Sequence, residues 1–176
     1  LYPRDAIFED LLEYGFTTLG LYPPGNGIPG QAVAIRPKGA TVEELIVRDN
    51  AYLKIRMASN AGAKKMLRDG FEDVDKFDEK EAKNREKWEK AKEKADKKKK
   101  KSKKDDDKDK DDEKEADKED EVGEYEPEVP DDKTVPFIRL REGELSALIS
   151  IRAASDYIHL LDAIDDEEFA WNLRIP

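Results

Sequence analysis

The sequence of 176 residues contains no cysteine. That absence excludes thiol chemistry, disulfides and cysteine-ligated zinc, and it leaves the compartment unknown. No apolar run approaches the length of a membrane span, and no signal peptide is visible. Apolar residues are also scarce: hydrophobic types make up 37% of the chain, too few for the whole of it to be packed. Charge is what the sequence has in excess. Charged residues reach 43%, with a formal net charge of −10, against roughly 25% in an ordinary soluble domain.

The excess charge is concentrated in one tract. From Lys97 to Asp120 only Ser102 and Ala116 are uncharged. Such a stretch cannot bury enough apolar surface to offset the entropy of ordering it. Helix is expected near its start, supported by Glu–Lys pairs one turn apart, and disorder later. Two readings stay open. The tract is a solvated insertion in a surface loop, or it is functional, as a polyampholyte tether or as a basic patch at Lys97–Lys104 for anionic partners. The neighbouring acids compete for those lysines, and the rest of the chain is acidic, so nucleic acid is not an expected partner. Outside the tract there are enough aliphatic and aromatic residues for a core.

The remainder reads as strands alternating with helices. Asp5 is positioned to cap a helix over Ala6–Tyr14, and Gly15 to stop it. A strand is expected at Phe16–Leu21 and another at Gln31–Arg36. Between them Pro23, Pro24, Gly25, Asn26, Gly27, Pro29 and Gly30 rule out helix or regular strand. That loop is either a tight connection or a ligand loop, since Gly and Asn at positive φ can turn successive N–H groups toward an anion. Gly25, Asn26, Gly27 and Gly30 are its substrate-loop candidates. Thr41 and Glu44 form a capping box for a short helix over Val42–Ile46, and Asp49-Asn50 reads as a turn. Ala51–Ala58 alternates as a strand, with Leu53, Ile55 and Met57 on one face and Tyr52, Lys54 and Arg56 on the other.

Asn60 caps a long helix. Its apolar stripe runs through Ala63, Met66, Leu67, Gly70, Phe71, Val74 and Phe77, then fades and leaves Trp88 isolated. From Asp78 the helix is expected to outlast its packing and project into solvent. Glu124–Asp132 is an acidic linker. A short helix follows from Pro136 to Gly143, then a buried strand at Leu145–Ile151, a helix opening at Ala154 or Ser155, and a strand at Phe169–Ile175. The expected organisation is a barrel segment over 1–77, a charged low-complexity insertion over 78–133, helical and then disordered, and the barrel segment resumed over 134–176. Strands near Thr17–Leu21, Ala51–Met57, Ala147–Ile151 and Trp171–Leu173 are expected as parallel neighbours in one sheet.

The stretch GFTTLGLYPPGNGIPGQAVAIRPKGATVEELIVRDNAYLKI resembles a segment of the amidohydrolase superfamily, in particular the imidazolonepropionase-like amidohydrolases. The shared pattern is a G-x-T-T strand, a Gly-Asn-x-Ile-x-Gly-Gln loop, a strand ending in a small basic turn, then a T-V-E segment and an L-K-I strand. The match runs through Ile55 and resumes more weakly near Pro136. The resemblance implies an α/β fold, a portion of a metal-dependent (β/α)8 barrel, and hydrolysis of amide or other C–N bonds of a small-molecule, amide-type substrate. A complete barrel takes about 250 residues, so the rest of the barrel is expected from other parts of a longer protein.

The resemblance also implies ligand positions, and the chain departs from them. The strand matching Ala51–Ala58 is followed in such proteins by Gly-Glu-Asn, and here by Ala58-Ser59-Asn60. The later strand usually ends in imidazoles, and here Leu148–Arg152 places Ser150 and Arg152. Ser59, Ser150 and Arg152 are degenerate ligand positions. A neutral hydroxyl and a guanidinium do not replace Glu and His around zinc or another divalent metal. This segment is therefore expected to supply neither a metal ligand nor a catalytic residue. His159, between Ile158 and Leu160, reads as a partly buried structural histidine, since barrel chemistry sits at strand C-terminal ends. Lys54 is a further candidate, because some relatives carboxylate a strand lysine. Without neighbouring ligands it reads as a lysine directed between barrel and helices. Two functions follow: a piece of a C–N hydrolase, or a catalytically impaired relative that serves as a binding or structural module.

Overall fold

The computed structural model describes residues 2, 3, 5–105 and 123–175. These fall into two compact units, one comprising 1–74 and 131–176, the other 75–130. The later part of the charged tract, and with it the expectation of disorder there, lies outside the described residues.

The first unit is a mixed α/β fold. Its sheet has five strands in the order β1 (Leu19–Leu21), β2 (Gly27–Ile35), β3 (Ile46–Arg56), β4 (Ala147–Ser150) and β5 (Trp171–Arg174). β3, β4 and β5 are parallel neighbours, as the alternation of strand and helix predicts. β1 is not their parallel neighbour. It pairs antiparallel with β2, and β2 pairs antiparallel with β3. The reason is connection length. A parallel pair needs a crossover of about a dozen residues or more. The β1–β2 link spans only 22–26, and the β2–β3 link carries a helix of 4 residues. The sheet is thus mixed rather than all parallel, with three parallel strands and a hairpin on one side.

Two further local expectations are corrected. Gly27–Gly30 belongs to β2 rather than to the loop, with Gly27 and Gly30 at φ 72° and 139° and the register shifting between them. β1 pairs only with Val33–Ile35, so Pro29 interrupts no ladder on that side. Asp49-Asn50 is not a turn between elements. β3 runs straight through it, and Asn50, at φ 48°, sits where the register with β2 shifts.

The helices form where the caps predict. Ile7 N–H donates to Asp5 at 3.2 Å at the start of α1 (Ala6–Glu13). At the start of α2 (Val42–Leu45) Glu44 N–H donates to Thr41 Oγ1 at 3.3 Å, and the Glu44 carboxylate reaches back past Thr41 to accept from Ala40 N–H at 2.7 Å. Ala63 N–H donates to Asn60 Oδ1 at 2.9 Å at the start of α3 (Ala61–Asp105). α4 (Val135–Arg141) precedes β4, and α5 (Ala154–Ile164) joins β4 to β5. The main core gathers one face of β3 and β4, through Leu53, Ile55, Ala147 and Ile149, with Leu67, Phe71 and Val74 of α3, Phe137 and Leu140 of α4, and Leu160 of α5. Gly70 lets α3 approach α4: a Cβ there would lie 2.1 Å from Phe137 Cζ.

The second unit is built differently. Trp88 is not isolated. Its ring lies 5.6 Å from that of Tyr125, and its Nε1 donates to the Gly123 carbonyl at 2.9 Å. Tyr125 donates to Glu81 at 2.7 Å, and Asn84 to Glu128 at 2.9 Å. The stretch expected as a linker therefore binds this part of α3 side chain by side chain. Among the described residues, no helix is long and apolar enough to cross a membrane.

Candidate functional site

The register of the three parallel strands places Arg56, Ser150 and Arg174 in one row, with Lys54, Leu148 and Asn172 in the parallel row before it. Side chains alternate across a sheet, so these rows lie on the face opposite Leu53, Ile55 and Ile149. The rows stand at the C-terminal ends of the strands, where barrel sites are built.

There Lys54, Arg56, Ser150 and Arg174 line a cleft of about 260 Å³, together with Tyr22, Pro23, Pro24 and Gly25 from the β1–β2 link and Arg152 beyond β4. Its lining holds four cationic side chains, Lys54, Arg56, Arg152 and Arg174, and no carboxylate. Lys54 is only 4% exposed. Its Nζ donates to Ser150 Oγ and stands 4.8 Å from the centre of the Tyr22 ring. Arg174 Nη1 donates to the Tyr22 hydroxyl at 2.6 Å. Among the described residues no acid pairs with any of the four cations. Burial, then the charges of Arg174 and Arg56, push the Lys54 amine below its ordinary range. Burial and Tyr22 push the Tyr52 phenol up, with Arg174 opposing.

A second cavity, about 660 Å³, shares Arg56 and Arg152 and adds Asn26, Gly27, Ser59 and Asp156. Asp156 is 6% exposed and accepts from the N–H groups of Arg152 at 2.9 Å and Ala153 at 3.1 Å. The Arg152 N–H first, then Ala153 and Ser59, hold its carboxyl below the usual range against burial. Ser59 lines this cavity together with Asp156.

The expected site residues are dispersed. Gly25 lines the cationic cleft, Asn26 and Gly27 the second cavity, and Gly30 a third on the side of Phe137. The glycine loop does not gather them around one point. Ser150 and Arg152 do meet, at the cleft. His159 is half-buried in α5 and lines neither the cleft nor the second cavity. Tyr22, Arg174 and Asp156 were not legible as site residues. The alternation in β3 marked Lys54 and Arg56 as sharing a face, but only the strand register shows that Arg174 joins them.

A divalent metal, which an amidohydrolase fold implies, does not fit the residues at these strand ends. Three guanidinium groups and an ammonium repel a cation, and the nearby carboxylate of Asp156 is engaged by backbone donors. Among the described residues no cluster of three or more His, Asp or Glu is placed to hold an ion.

No protein-family model matches the chain, and no curated protein matches it. The crystal structure of an amidohydrolase from Thermotoga maritima MSB8 resembles it, with a TM-score of 0.63 at 17% sequence identity. The match covers 98% of this chain and 40% of that one. At that identity the likeness is one of fold: the chain has an amidohydrolase-like fold and spans about two fifths of the similar structure.

Proposed function

We propose that this chain is a segment of an amidohydrolase-like barrel that binds the anionic group of a small molecule at its strand ends. One observation carries the reading: four cationic side chains converge on one small cleft whose lining holds no acid. A carboxylate or phosphate seated there would relieve their mutual repulsion and accept charge-assisted hydrogen bonds from guanidinium forks. The imidazolonepropionase-like motif and the fold likeness support a barrel of C–N hydrolase descent. In such a barrel this cleft would hold the carboxylate end of an amide-type substrate, and any zinc would be held by residues outside this segment. The Ser59, Ser150 and Arg152 positions favour the second reading, a relative whose segment binds without catalysing, and we take that as the description of this chain.

The test is a calorimetric titration of the 176-residue chain with inorganic phosphate and with lactate. The expected result is saturable binding that weakens with salt and falls about tenfold or more in Arg174→Ala, the loss of one charge-assisted contact. Equal binding by wild type and Arg174→Ala would overturn the assignment. Near-stoichiometric zinc in the purified chain would overturn the non-catalytic description.

A further inference from the structure

The cationic cleft holds more than charge. Lys54 is a lysine buried at the base of an open cleft, and its Nζ touches a hydroxyl rather than an acid. A purely electrostatic anion site needs nothing beyond the arginines, whose forks are permanently charged. An amine in their midst differs in kind, because it can become a nucleophile.

We propose that Lys54 is a carbonyl-reactive amine, and that the cleft takes small oxo acids and holds them as an imine on Lys54 Nζ. This rests on the anion-binding reading of the same cleft. The ligand class follows from the lining. A carboxylate pairs with Arg56, Arg152 or Arg174, and a ketone or aldehyde beside it comes within reach of Nζ in a space of about 260 Å³, which admits only a small molecule. Tyr22 and the two prolines line the cleft on the side of the β1–β2 link, with the Tyr22 ring centre 4.8 Å from the amine.

The step balances without a redox partner. The neutral amine attacks the carbonyl carbon, the C–N bond forms, and the carbonyl oxygen takes up the proton that the nitrogen loses. The resulting carbinolamine expels its hydroxyl, with one proton, as water and leaves the imine. Ser150 Oγ, already bonded to Nζ, is placed to pass these protons. The surroundings favour the unprotonated amine: burial, Arg174 and Arg56 all act against its charged form.

The experiment incubates the 176-residue chain with pyruvate and cyanoborohydride near neutral pH and maps the reduced adducts by peptide mass spectrometry. Binding of lactate, which has the carboxylate but no carbonyl, is measured in parallel. The proposal expects modification at Lys54 about tenfold above any other lysine. It expects that modification to be suppressed by excess lactate, with a pH midpoint below that of the other lysines. The wild-type map needs no variant, because each lysine of the same sample is the control for Lys54. Lactate binding with no preference for Lys54 would overturn the imine and leave the anion site standing. No lactate binding and no Lys54 adduct would overturn both.

Discussion

The two faces of the sheet share one set of backbone hydrogen bonds and differ in almost everything else. On one face Leu53 and Ile55 of β3 and Ala147 and Ile149 of β4 are at most 1% exposed and pack on α3, α4 and α5. On the other, one residue away along the same strands, stand Lys54, Arg56 and Ser150, with Arg174 beyond. The first face gathers apolar area and stabilises the fold. The second gathers like charges, one of them buried, and costs stability. Under the anion-binding reading proposed above, a ligand at these strand ends offsets that cost.

The contrast predicts unequal responses to substitution. The largest effect should be on the packed face. Ile55→Ala removes a side chain at 0% exposure, and about 2–5 kcal/mol should be lost in urea unfolding. A loss below about 1 kcal/mol would mean that this core collapses around the gap. Gly70→Ala should come next. Helix propensity favours Ala by about 1 kcal/mol, but the added Cβ would lie 2.1 Å from Phe137 Cζ. Forcing that ring aside should cost about 1–3 kcal/mol net. The double variant Gly70→Ala, Phe137→Leu should recover part of it.

The seam between the faces should respond less. Asp156→Ala removes the acceptor for the Arg152 and Ala153 N–H groups, and stability at neutral pH should fall by less than for either core change. The sign with pH follows from the lowered carboxyl. Its stabilisation is complete above the unfolded value of 3.8 and disappears as pH falls through the lower folded value. Wild type and Asp156→Ala should therefore converge in acid. A constant gap down to low pH would show that the carboxylate charge is not what matters.

The packed face was largely legible in the sequence because its signals are local. Alternation placed Leu53, Ile55 and Met57 together, and the 3.6-residue stripe placed Leu67, Phe71 and Val74. Caps at Asp5, Thr41 and Asn60 set helix starts. What failed was long-range. The parity of β3 says that Lys54 and Arg56 share a face, but Ser150 and Arg174 come beside them only through the pairing of β3, β4 and β5. The direction of β1 failed for a related reason. Its apolar run is compatible with either direction, and the length of the link to β2 decides. The pairing of Trp88 with Tyr125 spans the charged tract and leaves no trace in periodicity.

The smallest expected effect belongs to the cleft face, and its sign is opposite. Lys54→Met keeps most of the buried stem and removes the ammonium. If Lys54 carries a desolvation penalty, the variant should be as stable as wild type at neutral pH or more stable, by no more than about 1 kcal/mol. The pH dependence is sharper than the magnitude. Lys54 titrates below the unfolded value of 10.5, so between its folded value and 10.5 the unfolded chain binds more protons than the folded one. Wild-type stability should gain from Lys54 as pH rises through that window, and Lys54→Met should lack that gain. The difference between their urea midpoints, followed from neutral pH to about 10, isolates this one group from all others that titrate. A difference that stays constant, or a variant that loses several kcal/mol at neutral pH, would make Lys54 a structural cation held by Tyr22 and Ser150. The two faces of the sheet would then differ in composition but not in purpose.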